Sequence, residues 1–108
     1  MPQYMTQFAY NAETWAALSK NPADRSEAVS ALAQKLGARV VGLYYTMGEY
    51  DGVLIAEAPD DVTALALVMA AVAPGHIRAT RTARLYTPAE AMQAMRKAGG
   101  ASFQAPRG

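Results

Sequence analysis

The 108-residue sequence contains no cysteine, so it has neither a disulfide framework nor a thiolate ligand for a metal ion. It has a single histidine, and no second histidine or close carboxylate cluster completes the spacing of a zinc or iron site. A Gly-rich phosphate loop, a nucleophile elbow and a paired-carboxylate motif are also missing. The sequence therefore contains no complete catalytic signature, and we expect neither a metal nor a cofactor.

The charge balance and the hydrophobic runs exclude two classes of partner. Ten Lys and Arg against nine Asp and Glu give a formal net charge of +1, which supplies no field to attract nucleic acid or an anionic membrane. The longest nearly uninterrupted apolar run, Ala64–Ala73, is about half of what a bilayer span requires. The N-terminus lacks the basic and apolar regions of a signal peptide. We therefore expect a cytoplasmic protein with no nucleic-acid or membrane partner.

Hydrophobic periodicity and helix-capping residues predict four strands and four helical segments. In chain order these are a strand Tyr4–Tyr10, a helix Ala12–Lys20, a helix from the Asn21–Asp24 cap to Gly37, strands Arg39–Met47 and Tyr50–Glu57, a helix Val62–Ala73, a strand His76–Tyr86 and a helix from Pro88 to Gly99. Only Gly48 and Glu49 separate the second and third strands, which predicts a tight hairpin. Thr87 and Glu90 have the spacing of a capping box.

The order β-α-β-β-α-β with an additional C-terminal helix predicts an α+β, ferredoxin-like fold, in which a four-stranded antiparallel sheet has its helices on one face. Alternation places apolar side chains on both faces of the middle hairpin, for example Val40 and Val41. A monomer would expose the second face, so we predict that two sheets pack face to face. Thr63 is the only polar residue of helix Val62–Ala73, which predicts that the outer side of this helix is covered too.

Three segments resemble the GYD domain family: the turn Gly48–Asp51, the run Val53–Asp61 and the strand segment Arg78–Thr82. The resemblance covers roughly residues 3–87 and implies a ferredoxin-like fold within the dimeric α/β barrel superfamily, where two sheets close into a shared barrel. It implies no defined activity, although superfamily relatives include cofactor-independent monooxygenases, lactone isomerases, haem enzymes and ligand-sensing modules. We predict a GYD-like domain at 1–87 and a C-terminal helix and tail at 88–108.

Tyr50, Asp51 and His76 are the candidate catalytic residues. The Tyr50 hydroxyl and the Asp51 carboxylate would lie at a barrel mouth and orient a polar ligand or act as acid and base. The alternative is that Asp51 stabilises the turn, beside Gly48 or Gly52 at positive φ. His76 would titrate near neutral pH or ligate a metal ion, and haem ligation is a weaker option for it. The alternative for His76 is an exposed residue at the end of a strand.

Tyr10, Trp15, Tyr45 and Arg78 are the candidate ligand-binding residues. The three aromatic side chains would form a wall for an apolar ligand, with core packing as the alternative. The last strand is expected to place His76, Arg78, Thr80, Thr82, Arg84 and Tyr86 on one face and Ile77, Ala79, Ala83 and Leu85 on the other. If the polar face lines a barrel, its arginines would bind a carboxylate or phosphate. Otherwise they pair with Glu57 or Glu49 or reach solvent.

Two functions are compatible with these patterns. The first is a homodimeric α/β-barrel protein that binds a small organic molecule between sheet and helices, with a cofactor-independent monooxygenase- or isomerase-like enzyme as one form of it. The alternative is a non-catalytic assembly or regulatory module that docks another protein through helix Val62–Ala73 and the C-terminal extension. The incomplete catalytic set favours the alternative. A deep pocket with converging polar groups would favour the first.

Overall fold

The structure is a computed structural model that describes residues 1–106. Its sheet has four antiparallel strands in the order β2-β3-β1-β4. The elements are β1 (Gln3–Tyr10), α1 (Ala12–Lys20), α2 (Ser26–Lys35), β2 (Arg39–Tyr45), β3 (Gly52–Glu57), α3 (Asp61–Val72), β4 (Ile77–Leu85) and α4 (Pro88–Gly99). This order and pairing confirm the predicted α+β, ferredoxin-like fold.

Three helices begin at the capping residues that the sequence indicates. The side chains of Asn11 and Asp60 each accept the backbone N–H three residues ahead, at 2.9 and 2.8 Å. Thr87 does the same for α4, and the Glu90 carboxylate returns a bond to the Thr87 N–H, so that the capping box is complete. These bonds satisfy backbone donors that have no partner within the helix.

The start of α2 differs from the prediction. The helix begins at Ser26, whereas the sequence predicted Asn21 as the cap and Pro22 as the first helical residue. The reason is that the Asp24 carboxylate accepts the N–H of Ser26, only two residues ahead, at 2.9 Å. A bond of this span closes an Asx turn, which delays the entry of the backbone into the helix. Arg25 consequently becomes the N-cap residue, and its side chain makes no capping bond.

The connection between β2 and β3 is also longer than the predicted two residues, since β2 ends earlier and β3 begins later than expected. The Thr46 N–H donates to the Asp51 carbonyl and the Thr46 hydroxyl donates to the Tyr50 carbonyl, each at 2.8 Å. These bonds close a loop over Thr46–Asp51. Gly48 occupies a positive φ of 130° within it, a conformation that favours glycine.

One face of the sheet packs against α2 and α3 to form the core. The buried members of this core are Tyr4, Ala33, Ala38, Ala56, Ala58, Ala64 and Leu67, with Leu32, Leu36, Val40 and Leu54 packed against them. Most of the buried members are alanines, whereas the aliphatic side chains packed against them remain partly exposed.

A β-bulge changes the predicted faces of β4. Ala9 pairs with Ala79, whereas Tyr10 pairs with Ile77, so Arg78 is an extra residue opposite this step. Alternation predicted that Ile77 lies on the same face as Ala79. The bulge instead places Ile77 on the helix-facing side of the sheet, with Thr80. Thr80, Thr82 and Arg84 pair with Phe8, Thr6 and Tyr4 and lie on the helix-facing side of the sheet.

The opposite face of the sheet, here called the outer face, combines apolar and polar side chains. The strand register places on it Met5, Gln7 and Ala9 of β1, Val53 and Ile55 of β3, Tyr44 of β2, and Ala79, Arg81, Ala83 and Leu85 of β4. Tyr44 is 60% exposed. The helices α2 and α3 both lie on the other side of the sheet.

Helix α4 extends away from this body. None of its residues is buried, and the radius of gyration of 17.7 Å exceeds the value of about 13 Å that a compact domain of this length has. An ion pair between Arg84 and Glu90, at 3.2 Å, holds its first turn. This contact replaces the predicted pairing of β4 arginines with Glu57 or Glu49, and Glu57 pairs instead with Arg39. In the described part of the chain no helix is long and apolar enough to cross a membrane.

We predict that Gly52→Ala destabilises the fold by about 1–3 kcal/mol, because a Cβ at Gly52 would lie 2.8 and 2.9 Å from two ring carbons of Phe8 and closer still to its Cζ. Urea unfolding followed by circular dichroism measures the change. Gly99→Ala is the matched control, since no atom lies within 4 Å of its Cβ position. It is expected to change stability by no more than about 0.5 kcal/mol. Equal effects of the two substitutions would contradict the packing of Phe8 on Gly52.

Candidate functional site

Asp51 connects the end of β1, helix α1 and the β2–β3 connection. Its carboxylate Oδ2 accepts the backbone N–H of Tyr10 at 2.9 Å and the indole Nε1–H of Trp15 at 3.0 Å. Its own N–H donates to the Phe8 carbonyl, and its carbonyl accepts the Thr46 N–H, both at 2.8 Å. Asp51 thus stabilises the turn and at the same time positions two of the predicted ligand-binding side chains.

Tyr10 lies at the centre of a cluster of rings. Its ring centroid is 5.3 Å from that of Trp15, 5.4 Å from Phe8, 6.0 Å from His76 and 6.3 Å from Tyr45. The Tyr10 and Tyr45 hydroxyl oxygens are 3.1 Å apart. Burial, followed by this hydrogen bond, raises the pKa of Tyr10. The hydroxyl therefore stays protonated at neutral pH and acts as a hydrogen-bonding group.

A cavity of about 80 Å³ lies between the sheet and the helices α2 and α3. Its apolar lining consists of Phe8, Val29, Leu32, Leu43, Leu54, Leu67, Val68, Ala71 and Ile77, and its polar lining of Thr6, Tyr10, Arg25, His76 and Thr80. The cavity thus has an apolar body with a few polar groups, which is the usual composition of a small-molecule site.

An open cleft of about 430 Å³ adjoins this cavity on the side of α1 and the α3–β4 turn. It is lined by Asn11, Glu13, Thr14, Ala17, Leu18, Ala23, Pro74 and Gly75, together with Tyr10, Arg25 and His76. The last three residues also line the cavity. Tyr10, Arg25 and His76 therefore lie where the cleft meets the cavity, and we call them the gate residues.

His76 is held at this position by its neighbours in the fold. Its backbone carbonyl accepts the Asn11 N–H at 3.1 Å and the Thr14 hydroxyl at 3.2 Å, which ties the start of β4 to α1. Burial lowers the pKa of His76, and the positive charge of Arg25 lowers it further. The imidazole is therefore neutral at pH 7, with one nitrogen able to donate and the other able to accept a hydrogen bond.

Five of the predicted site residues meet in this region: Tyr10, Trp15, Tyr45, Asp51 and His76. Of these five, Tyr10 and His76 line both the cavity and the cleft, whereas Trp15, Tyr45 and Asp51 line neither. Trp15 and Tyr45 line a separate open pocket beside α1. Tyr50 and Arg78 also line neither the cavity nor the cleft. Tyr50 lies in the β2–β3 connection, where its backbone carbonyl accepts the Thr46 hydroxyl. Arg78 is exposed at the bulge of β4. Among residues 1–106, no group of three or more metal-ligating side chains is arranged to hold a metal ion.

Arg25 is the gate residue that the sequence analysis did not identify. It lies in a polar stretch between two helices, where an arginine is normally solvent-exposed. One signal was present, because a cation at a helix N-terminus opposes the macrodipole of the helix. Arg25 is the N-cap residue of α2. Its position is unfavourable for the helix, and Arg25 lines both the cavity and the cleft.

Comparisons with known proteins give a family and a fold. A family model described as "GYD domain" matches residues 4–95. No curated protein matches the sequence. Among solved structures, TTHA0845 from Thermus thermophilus is similar with a TM-score of 0.53 and 16% identity, over 81% of this chain and 95% of that one.

Two further solved structures share the fold. FFRP-DM1 has a TM-score of 0.56 and 16% identity, over 80% of this chain and 100% of that one. MtbAldR has a TM-score of 0.57 and 15% identity over 80% of this chain, and the match spans 53% of MtbAldR, about half of its length. At these identities the likeness extends to the fold alone.

We predict that Asp51→Ala destabilises the protein by about 1–3 kcal/mol, because the Tyr10 N–H and the Trp15 indole both lose their acceptor. Asp51→Asn keeps an acceptor oxygen and should have a smaller effect. Urea unfolding monitored by Trp15 fluorescence measures both variants. Glu49→Ala, an exposed change in the same connection, is the control and should alter stability by no more than about 0.5 kcal/mol. An Asp51→Ala variant as stable as the wild type would show that Asp51 does not hold the site.

Stability is predicted to fall as the pH decreases from about 7 to about 5. His76 has a pKa below its ordinary value of 6.5 in the folded protein, so the unfolded chain binds more protons in this window and acidification favours unfolding. The carboxylates of Asp24, Asp60 and Glu90 have pKa values below their ordinary 3.8, 3.8 and 4.5 and act at lower pH.

Thermal unfolding of the wild type and His76→Gln across this pH range measures the effect. The slope of stability against pH should be smaller in the variant. Identical slopes in both proteins would show that His76 is not in a desolvated position.

Proposed function

The chain belongs to the GYD domain family, and we propose that it is a homodimer that binds a small organic molecule between its sheet and its helices. The observation that supports this most directly is the cavity, which has an apolar body and meets the cleft at Tyr10, Arg25 and His76. A concave, mostly apolar site with a few convergent polar groups favours ligand binding over a packed core. The cleft supplies a route to it from solvent.

The gate residues suit a cofactor-independent enzyme as one form of this function. The neutral imidazole of His76 is placed to accept a proton from a ligand that enters the cavity, and the Tyr10 hydroxyl is placed to donate a hydrogen bond. In this proposal Asp51 acts through Tyr10 and Trp15, whose positions it fixes. Tyr50 and Arg78 have no part in the proton transfer, since neither lines the cavity or the cleft.

The outer face of the sheet supports the homodimer. Met5 and Ile55 lie side by side near its centre, and Ala83 continues this apolar area onto the edge strand β4. Packing two such faces against each other would remove the apolar area from water, in the manner of other sheet-on-sheet assemblies. The helices α2 and α3 would then lie on the outside of the dimer, and each subunit would keep its own cavity and cleft.

An alternative function is a non-catalytic assembly or regulatory module that docks another protein. It is favoured by an exposed apolar stripe on α3, in which Val62 is 76%, Leu65 54% and Met69 61% exposed. Helix α4 has a second exposed apolar stripe, in which Met92 is 50% and Met95 67% exposed. Both stripes follow helical spacing, and exposed apolar stripes of this kind are typical of docking surfaces.

A native mass spectrum of the protein purified without added ligand tests the proposal, with Ile55→Glu and Leu65→Glu as matched variants. We expect a dimer with a removable extra mass for the wild type and for Leu65→Glu. Ile55→Glu should give a folded monomer, because two carboxylates would be buried at the centre of the interface. A wild-type oligomer without bound mass that dissociates in Leu65→Glu would instead support the assembly module. A monomeric wild type would contradict both.

A further inference from the structure

The charge of Arg25 distinguishes the cleft from an ordinary apolar entrance. Among residues 1–106 the ion pairs are formed by Arg39 with Glu57 and by Arg84 with Glu90, and no carboxylate pairs with Arg25. Arg25 is half-buried and lines both the cleft and the cavity. A guanidinium group in such a position, with its fork of N–H donors free, is suited to a carboxylate.

The neighbouring polar groups complement an anion at this point. The Tyr10 hydroxyl and the neutral His76 imidazole can each donate a hydrogen bond. Two carboxylates are near. Asp51 directs its Oδ2 to the Tyr10 N–H and the Trp15 indole, and Glu13 lies on the cleft side in an exposed position in the first turn of α1. Neither carboxylate lines the cavity.

The size of the cavity limits the apolar part of the ligand. Its volume of about 80 Å³ compares with about 30 Å³ for the share of one water molecule in the liquid and about 150 Å³ for a cavity that takes benzene. A space of this volume suits a tail of about three carbon atoms better than an aromatic ring. A longer chain would require the side chains of α2 or α3 to move.

We propose that the ligand is a short-chain aliphatic carboxylate whose head binds Arg25 in the cleft and whose tail enters the cavity between Tyr10 and His76. The proposal rests on the proposed function, because it names the ligand class of the same site. It assigns to Arg25 the role of selecting an anion. It assigns to the apolar lining, with Leu54 and Leu67 on opposite walls, the role of limiting chain length.

Titration with butyrate, followed by NMR shifts of backbone amides, tests the proposal on the full chain. We expect butyrate to shift the amides of Arg25, Ala71 and His76, and the neutral isostere butyramide to bind at least about tenfold more weakly. Acetate should bind more weakly because its methyl group leaves most of the cavity lining without contact, and octanoate because its chain exceeds the cavity.

Four variants make the test specific. Arg25→Gln should weaken butyrate binding at least about tenfold, while Arg25→Lys should retain part of it. Lys35→Gln, which removes an exposed positive charge in the last turn of α2, should leave it unchanged. Ala71→Leu places a larger side chain in the cavity and should abolish binding, and thermal unfolding checks that this variant is folded.

The outcomes separate this proposal from the proposed function. Equal binding of butyrate and butyramide, both lost in Ala71→Leu, would overturn the carboxylate assignment and support a cavity for neutral molecules. Butyrate binding that Ala71→Leu does not affect would place the anion at the surface and overturn the proposal. If no probe shifts the cavity residues and the purified protein holds no removable mass, both the carboxylate assignment and the proposed function are wrong.

Discussion

The hydrogen bonds of Asp51 determine how the parts of the candidate site meet. Asp51 accepts hydrogen bonds from Tyr10, the last residue of β1, and from the indole of Trp15 in α1. Its carbonyl also accepts the Thr46 N–H, which holds the two ends of the β2–β3 connection together. The Tyr10 ring consequently stands at the centre of the aromatic cluster and at the border of the cavity. His76 then completes the border from the start of β4, since its carbonyl is bound to the first turn of α1. The site therefore depends on a carboxylate that does not line the cavity.

The thin core of the domain explains why the cavity and the exposed faces occur together. Ala9, Ala33 and Ala58 are at most 1% exposed, whereas no large side chain in the described part of the chain is as fully buried. Small domains bury a modest share of their surface and are only marginally stable alone. Phe8, Leu54 and their neighbours are left around a space that they do not fill. Burial of the outer face in a dimer would supply the stability that the alanine-rich core does not.

The sequence predicted the features that depend on local chemistry. Caps such as Asn11 and Thr87 are confirmed because a side chain and a backbone N–H three residues away determine them. The family resemblance is confirmed by the match over residues 4–95. The bulge at Arg78 was missed because strand pairing, which is a tertiary feature, creates it. The site residues also divide into those that local sequence identifies and those that only the fold identifies. His76 is recognisable from the sequence because it is the single histidine. Arg25 becomes a candidate only when the fold brings it to the cavity.

We propose that a binding space lies between the sheet and the helices of each subunit of a dimer. A crystal structure under xenon pressure tests it most directly, because xenon enters apolar cavities of suitable size. We expect xenon density between Leu54 and Leu67 in every subunit, together with two sheets that face each other. Xenon confined to the exposed stripe of α3, with no density between sheet and helices, would contradict the account.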